Sequence, residues 1–198
     1  YYYSKKTLTL DINNRLPVAD YFAINGDNAY NQFLETGYSR NQLIRVEALR
    51  YMYLNSIEKN YRNKIIKKTD SKKILILGDY SKTTTISNIK ILQDVFINSS
   101  IDIELTLKPH PGCLMRKSDI NLSNIKITNK PISQIINQCN IAFSCNVTSA
   151  ALDAYFYDIP VICFHDLSKL NLSPVRGLDN IIFINSSEEL REILSNDI

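Results

Sequence analysis

From Lys73 to the end of the chain, short β-branched or aliphatic runs alternate with segments whose apolar residues recur at helical spacing. "KILILGD", Lys73–Asp79, is a continuous apolar run of strand length that stops at a glycine, as a strand buried on both faces does. "ISNIKILQDVF" then places Ile86, Ile89, Leu92, Val95 and Phe96 on one side of a helix. The pattern repeats with strands at Ile101–Pro109, Asn124–Thr128, Asn140–Ser144, Pro160–Phe164 and Asn180–Ile184. Between and after them it predicts helices at Ile132–Gln138, opened by Pro131, at Thr148–Tyr157, and at Ser186–Leu194, where Ser186 and Glu189 have capping-box spacing.

Strands that alternate with helices imply right-handed crossovers and a parallel sheet covered on both faces. The expected fold is therefore α/β: a Rossmann-like, doubly wound parallel sheet of about six strands over residues 73–198. Such sheets take ligands beyond the carboxyl ends of their strands, near the point where strand order reverses. Candidate chemistry is thus sought just after each strand.

Upstream the rhythm is less regular. It gives a strand at Tyr21–Ile24, a helix over Asp27–Gly37 closed by its glycine, and a strand leading into a turn and short helix within Asn41–Leu54. Residues 1–57 are too few for a complete α/β domain and are expected to be the end of an N-terminal one. Residues 58–72 read as a polar, basic linker. The chain begins "YYYSKK" without methionine, in keeping with a piece of a longer protein.

Composition narrows the functions open to such a fold. The 23 Lys and Arg barely exceed the 20 Asp and Glu, and are dispersed. No block has the length of a nucleic-acid arm or a polybasic anchor. No apolar run approaches the roughly 20 residues that span a bilayer. Cys113, Cys139, Cys145 and Cys163 lack metal-ligand spacing, so no metal site is expected and the thiols are expected reduced in a cytoplasmic protein. No cofactor is implied.

Three strand ends carry polar residues suited to a ligand. In "GDYSKTT", Gly78 lets backbone approach closely, and Asp79, Tyr80 and Ser81 precede a helix whose free N–H groups suit an anion. A capped turn explains the same residues, and neither a Walker loop nor a dinucleotide fingerprint is present. In "LTLKPHPG", prolines hold Lys108 and His110 on stiff, extended backbone, with Pro111 after them. The imidazole can donate to a phosphate or a ribose hydroxyl and Lys108 adds charge, or the stretch is a rigid strand exit with a solvated histidine. In "SCNVTSAALDA", Ser144, Asn146, Thr148 and Ser149 gather at a helix start, as an anion cradle or as a cap. In the usual doubly wound order these three ends meet at one crevice, which favours a ligand site. His165, after the next strand, could also reach a ligand there.

"LTLKPHPG" followed by "NIAFSCNVTSAALDAYFYDIPVICF" resembles the C-terminal nucleotide-binding half of bacterial GT-B fold glycosyltransferases. The similarity is to surface-polysaccharide enzymes of the polysialyltransferase, capsule Kdo-transferase and CDP-glycerol glycerophosphotransferase kind. It implies that His110 contacts the nucleotide's phosphate or ribose and is catalytic in stabilising the leaving group, with Thr148 and Ser149 on the phosphate. Asp153 stands where many such enzymes carry a ribose-binding glutamate, and is one methylene shorter. "RLPVADYFAINGDNAYNQFLETGYSRNQLIRVEALRYMYL" is similar to the segment where their N-terminal domains end. The implied partners are a nucleotide-sugar donor, CMP-linked by resemblance alone, and a glycan or lipid-linked acceptor, with no nucleic acid. The implied place is cytoplasmic, at the inner face of the membrane if the full-length protein associates peripherally. The acidic motif that supplies the general base is missing, so the chain alone is expected to be inactive. Alternatives are a non-catalytic nucleotide- or partner-binding domain, and a sugar-nucleotide epimerase, whose acidic-Ser-Gly-Gly loop is lacking.

Overall fold

A computed structural model describes residues 19–49, 51–52, 71–97, 101–122, 124–145, 147–196 and 198. The chain divides into two compact units, residues 1–58 and 59–198. The stretch read as a linker lies, up to residue 70, outside the described residues.

In the first unit, β1 (Phe22–Ile24) and β2 (Leu43–Arg45) pair in parallel, Phe22 opposite Leu43. Helix α1 (Asp27–Glu35) crosses between them. It stops where expected: Gly37 takes φ 96°, its N–H bonds the Leu34 carbonyl at 3.0 Å, and the Tyr38 N–H bonds that of Phe33 at 3.1 Å. That left-handed turn suits glycine and satisfies carbonyls left open by the helix end. It also lays Tyr38 against Phe33, ring centroids 5.0 Å apart, with Phe22 closing a three-ring core.

The second unit carries β3 (Lys72–Leu77), α2 (Lys82–Ile97), β4 (Ile103–Lys108), β5 (Ile125–Ile127), α3 (Ile132–Ile135), β6 (Ile141–Ser144), α4 (Ala150–Phe156), β7 (Val161–Phe164), β8 (Ile181–Ile184) and α5 (Ser187–Leu194). Its six strands are all parallel, in the order β5-β4-β3-β6-β7-β8. This is the doubly wound α/β arrangement expected, reversing direction between β3 and β6. Ile74, Leu75, Ile76 and Leu77 are all buried, as a central strand covered on both faces requires. In β4 the alternation is real: Leu105 and Leu107 are buried, Glu104 is exposed. Helix α2 contributes Ile89, Leu92 and Val95 to the core that Leu190 and Leu194 of α5 also join.

Two local readings are corrected. The helix expected over Ile132–Gln138 is α-helical only to Ile135 and tightens into a 3₁₀ turn over Ile136–Gln138. That turn buries Ile136 with Ile135, a change of winding that apolar spacing alone does not encode. At α5 the Ser186 hydroxyl accepts the Glu189 N–H at 3.2 Å as a cap, but the Glu189 carboxylate reaches Asn185 N–H, one residue before the cap, at 2.8 Å.

Phe143, in the middle of β6, is 0% exposed, while Phe183 on the edge strand β8 is 37% exposed. Phe143→Ala is expected to lower the unfolding free energy of the second unit by about 3–5 kcal/mol in urea titrations, and Phe183→Ala by roughly 1 kcal/mol.

Candidate ligand site at the carboxyl edge of the sheet

The β3 exit is shaped by its neighbours. Gly78 donates its N–H to the Lys108 carbonyl at 2.9 Å, continuing the β3–β4 ladder past the last strand residue. A Cβ at Gly78 would lie 3.0 Å from the His110 nitrogen, the Lys108 oxygen and the Pro109 Cα. The glycine is required by the backbone that carries His110.

Asp79 is buried and engaged. Its Oδ1 accepts the Ser81 N–H at 2.7 Å, an Asx turn, and its Oδ2 receives the Cys145 thiol at 2.9 Å. The Thr85 hydroxyl accepts the Asp79 N–H at 2.9 Å, and the Ser81 hydroxyl accepts the Thr84 N–H at 3.3 Å to cap α2. The chain's own carboxylate therefore occupies the anion position at the start of α2. Of the residues expected to line this turn, Tyr80 is the one that projects into solvent, 75% exposed.

His110 stands beside it. The imidazole lies edge-on to Tyr80, centroids 5.7 Å apart, and a Cβ at Gly112 would sit 3.4 Å from His110 Nδ1 and 3.5 Å from the Tyr80 ring. Gly112 donates its N–H to His110 Nδ1 at 3.1 Å, and Cys113 donates its own to the His110 carbonyl at 2.9 Å. With Nδ1 accepting, the neutral ring carries its proton on Nε2. Lys108 turns its ammonium to the Pro109 carbonyl at 3.3 Å, and Pro111 is exposed.

The β6 exit differs more from expectation. Ser144 is fully buried and donates to the Cys145 carbonyl at 2.9 Å, so it braces the strand end from within. Asn146 lies outside the described residues. Thr148 is buried, its carbonyl accepting the Ala151 N–H at 3.3 Å, and Ser149, at the cap of α4, makes no side-chain cap bond. Helix α4 is only 7 residues long and offers little aligned dipole. Asp153, within α4, is buried, and burial of Tyr157 followed by the Asp153 charge raises that phenol's pKa. His165 is bonded within its own loop, Nε2 to the Lys169 carbonyl at 2.9 Å.

The geometry thus joins Gly78, Tyr80 and His110 directly, and links the β3 and β6 exits through Asp79 and Cys145. Thr85, Gly112 and Cys145 carry this arrangement and were not singled out from sequence. Their bonds run between loops or to backbone, and only the placement of Cys145 directly after a strand hinted at its part. A groove of about 570 Å³ lies at the opposite, amino-end side of the sheet, lined among others by Lys73, Glu104, Lys126 and Asn140. It is away from the strand exits just described.

No family model matches this chain, and no curated protein sequence does. Among solved structures, one described as the glycotransferase of kitacinnamycin is similar at 13% identity and a TM-score of 0.49. The alignment covers 79% of this chain, which spans 41% of that protein's length. At that distance no role passes from that protein to this chain.

Two measurements check the site. Gly78→Ala is expected to move the His110 imidazole resonances in NMR and to destabilise by about 1–3 kcal/mol, since backbone must shift. The Cys145 thiol is pushed up from its ordinary 9.0 to about 12, first by burial and then by the Asp79 carboxylate. The folded state therefore keeps a proton that the unfolded chain loses, and stability falls as pH rises from 9.0 to about 12. Cys145→Ser, which can still donate to Asp79, should stay within about 1 kcal/mol at pH 7 and lose less stability over that alkaline window.

Proposed function

We propose that the second unit is the donor-binding half of a glycosyltransferase that uses a nucleotide-activated sugar in bacterial surface-polysaccharide synthesis. The first unit is then the end of the partner α/β domain. The observation that carries this reading is His110: a rigid imidazole with Nδ1 occupied and Nε2 available, beside an exposed aromatic ring, next to the point of strand reversal.

In this reading the Nε2–H bonds the departing nucleotide phosphate as charge builds on it, and Lys108 supplies a cation nearby. Tyr80 offers its face to the nucleotide. Thr148 and Ser149 remain phosphate-contact candidates through their backbone and hydroxyls, whereas Asp79, Ser81 and Ser144 are reassigned to holding the loops. A cytidine nucleotide is favoured by the resemblance of the His-Pro stretch alone. The neighbouring carboxylates Asp79 and Asp153 are buried, so the base that activates the acceptor hydroxyl is assigned outside this unit.

Calorimetry with CMP, CDP, UDP and GDP tests the proposal on the wild-type chain and on His110→Ala. At least one nucleotide should bind, and the substitution should weaken it about ten- to a hundredfold, the cost of one hydrogen bond to a charged group. Absence of binding by all four, or an affinity unchanged in His110→Ala, would remove the basis of the reading.

A further inference from the structure

The two outer strands of the six-stranded sheet are finished differently. β5 is 3 residues long and carries Lys126, exposed, at its centre, the residue type that blunts a free strand against pairing. β8, at the other side, reads Ile-Ile-Phe-Ile with neither a charge nor a proline, and among the described residues no strand lies beyond it. Ile184 is buried and Ile182 packs on the same core, while Phe183, on the opposite face of the strand, is left 37% exposed.

The backbone of β8 shows how much of it is free. His165 donates its N–H to the Ile184 carbonyl at 2.8 Å, so Ile184, and with it Ile182 two positions earlier, turns its backbone groups toward β7. Those of Ile181, Phe183 and Asn185 turn the other way, off the sheet. The Asn185 N–H is taken by the Glu189 carboxylate at 2.8 Å, and at the other end Asn180, at φ 60°, bends the chain out of the extended form. What stays open is a short ladder, one N–H and one carbonyl on each of Ile181 and Phe183, symmetric about Ile182.

A second copy of the same strand matches that symmetry. Run antiparallel about a two-fold axis through Ile182 and normal to the sheet, Ile181 of one copy faces Phe183 of the other, and the facing residues exchange two hydrogen bonds on each side of the axis. Each face of the sheet then continues into the same face of the other copy. Ile182 meets Ile182 and Phe183 covers Ile181, apolar cross-strand pairs of the kind that stabilise sheets. Centring the pairing on Phe183 instead would call on the Asn185 N–H that Glu189 already holds. No like charges stand directly opposite: Asp179 falls across from Asn185, near the start of α5 where Glu188 and Glu189 stand, and Asn180 across from Ile184. At β5 the same operation would set Lys126 against Lys126.

We propose that β8 pairs antiparallel with β8 of a second copy of this chain, joining two six-stranded sheets through Ile181 and Phe183. The paired stretch is about 13 Å long and buries on the order of several hundred Å², less than the roughly 1,200 Å² of a stable interface. The dimer is therefore a weak one, with a Kd on the order of 0.1 mM. Three strands separate β8 from β4, so the pairing leaves the His110 exit uncovered and does not depend on the nucleotide reading.

Sedimentation equilibrium of the 198-residue chain from about 10 µM to about 1 mM brackets that affinity. The average mass is expected to rise from one chain toward two. Phe183→Lys and, at the other open position, Ile181→Lys should each weaken association at least about tenfold, with the melting temperature reporting that the fold is kept. Phe183→Val should still associate. Oxidative cross-linking reads the register: Ile182→Cys should give a covalent dimer through the non-hydrogen-bonded pair, where Cα atoms lie about 4.5 Å apart, above the level set by the native cysteines. A mass that stays at one chain up to the highest concentration overturns the proposal, as does undiminished association of both lysine variants. Cross-linking through Phe183→Cys in place of Ile182→Cys overturns the two-fold at Ile182.

Discussion

Where the strand order reverses, between the exits of β3 and β6, a buried carboxylate meets a buried thiol. The Asp79–Cys145 contact closes the floor of the crevice that doubly wound sheets ordinarily leave for a ligand. A carboxylate there is tolerable because a backbone N–H and a thiol proton both point at it, and it sits at the positive end of α2, a helix of 16 residues. The consequence is electrostatic. An incoming anion finds the helix end already neutralised, and must be met by groups further out along the β4 exit.

That division explains why residues of similar type at similar places do different work. Ser81, Ser144 and Ser149 all follow or close a strand, and all are small hydroxyls. Ser81 caps a long helix, Ser144 is sealed inside the strand end, and Ser149 heads a helix without capping it. What separates them is burial and the length of the element that follows.

The sheet was legible because its strands are continuous apolar runs and its connections are long enough for helices; the strand at Ile74–Leu77 could hardly be anything else. The closing glycine of α1 was legible for the same reason, since a left-handed turn has few residues to choose from. The candidate site was legible only as a juxtaposition of His110 and Tyr80, because prolines and strand ends fix where such residues stand. The role of Asp79 was not. Its deciding partner lies 66 positions away in sequence, and nothing in "GDYSKTT" distinguishes a carboxylate that meets a ligand from one that meets a thiol. The 3₁₀ winding after Ile135 was hidden likewise, because apolar residues fit either pitch.

The contact at Gly78 has a bearing on how the molecule breathes. Its N–H to the Lys108 carbonyl is one more rung of the β3–β4 ladder, so the segment that shapes His110 is fastened to the buried central strand β3 rather than to a surface loop. Loops usually belong to the parts of a protein that open most readily, and ligand-binding loops especially so. Here the backbone that leads into the imidazole is tied to the sheet itself. The loop after β7 is held instead by bonds among its own residues.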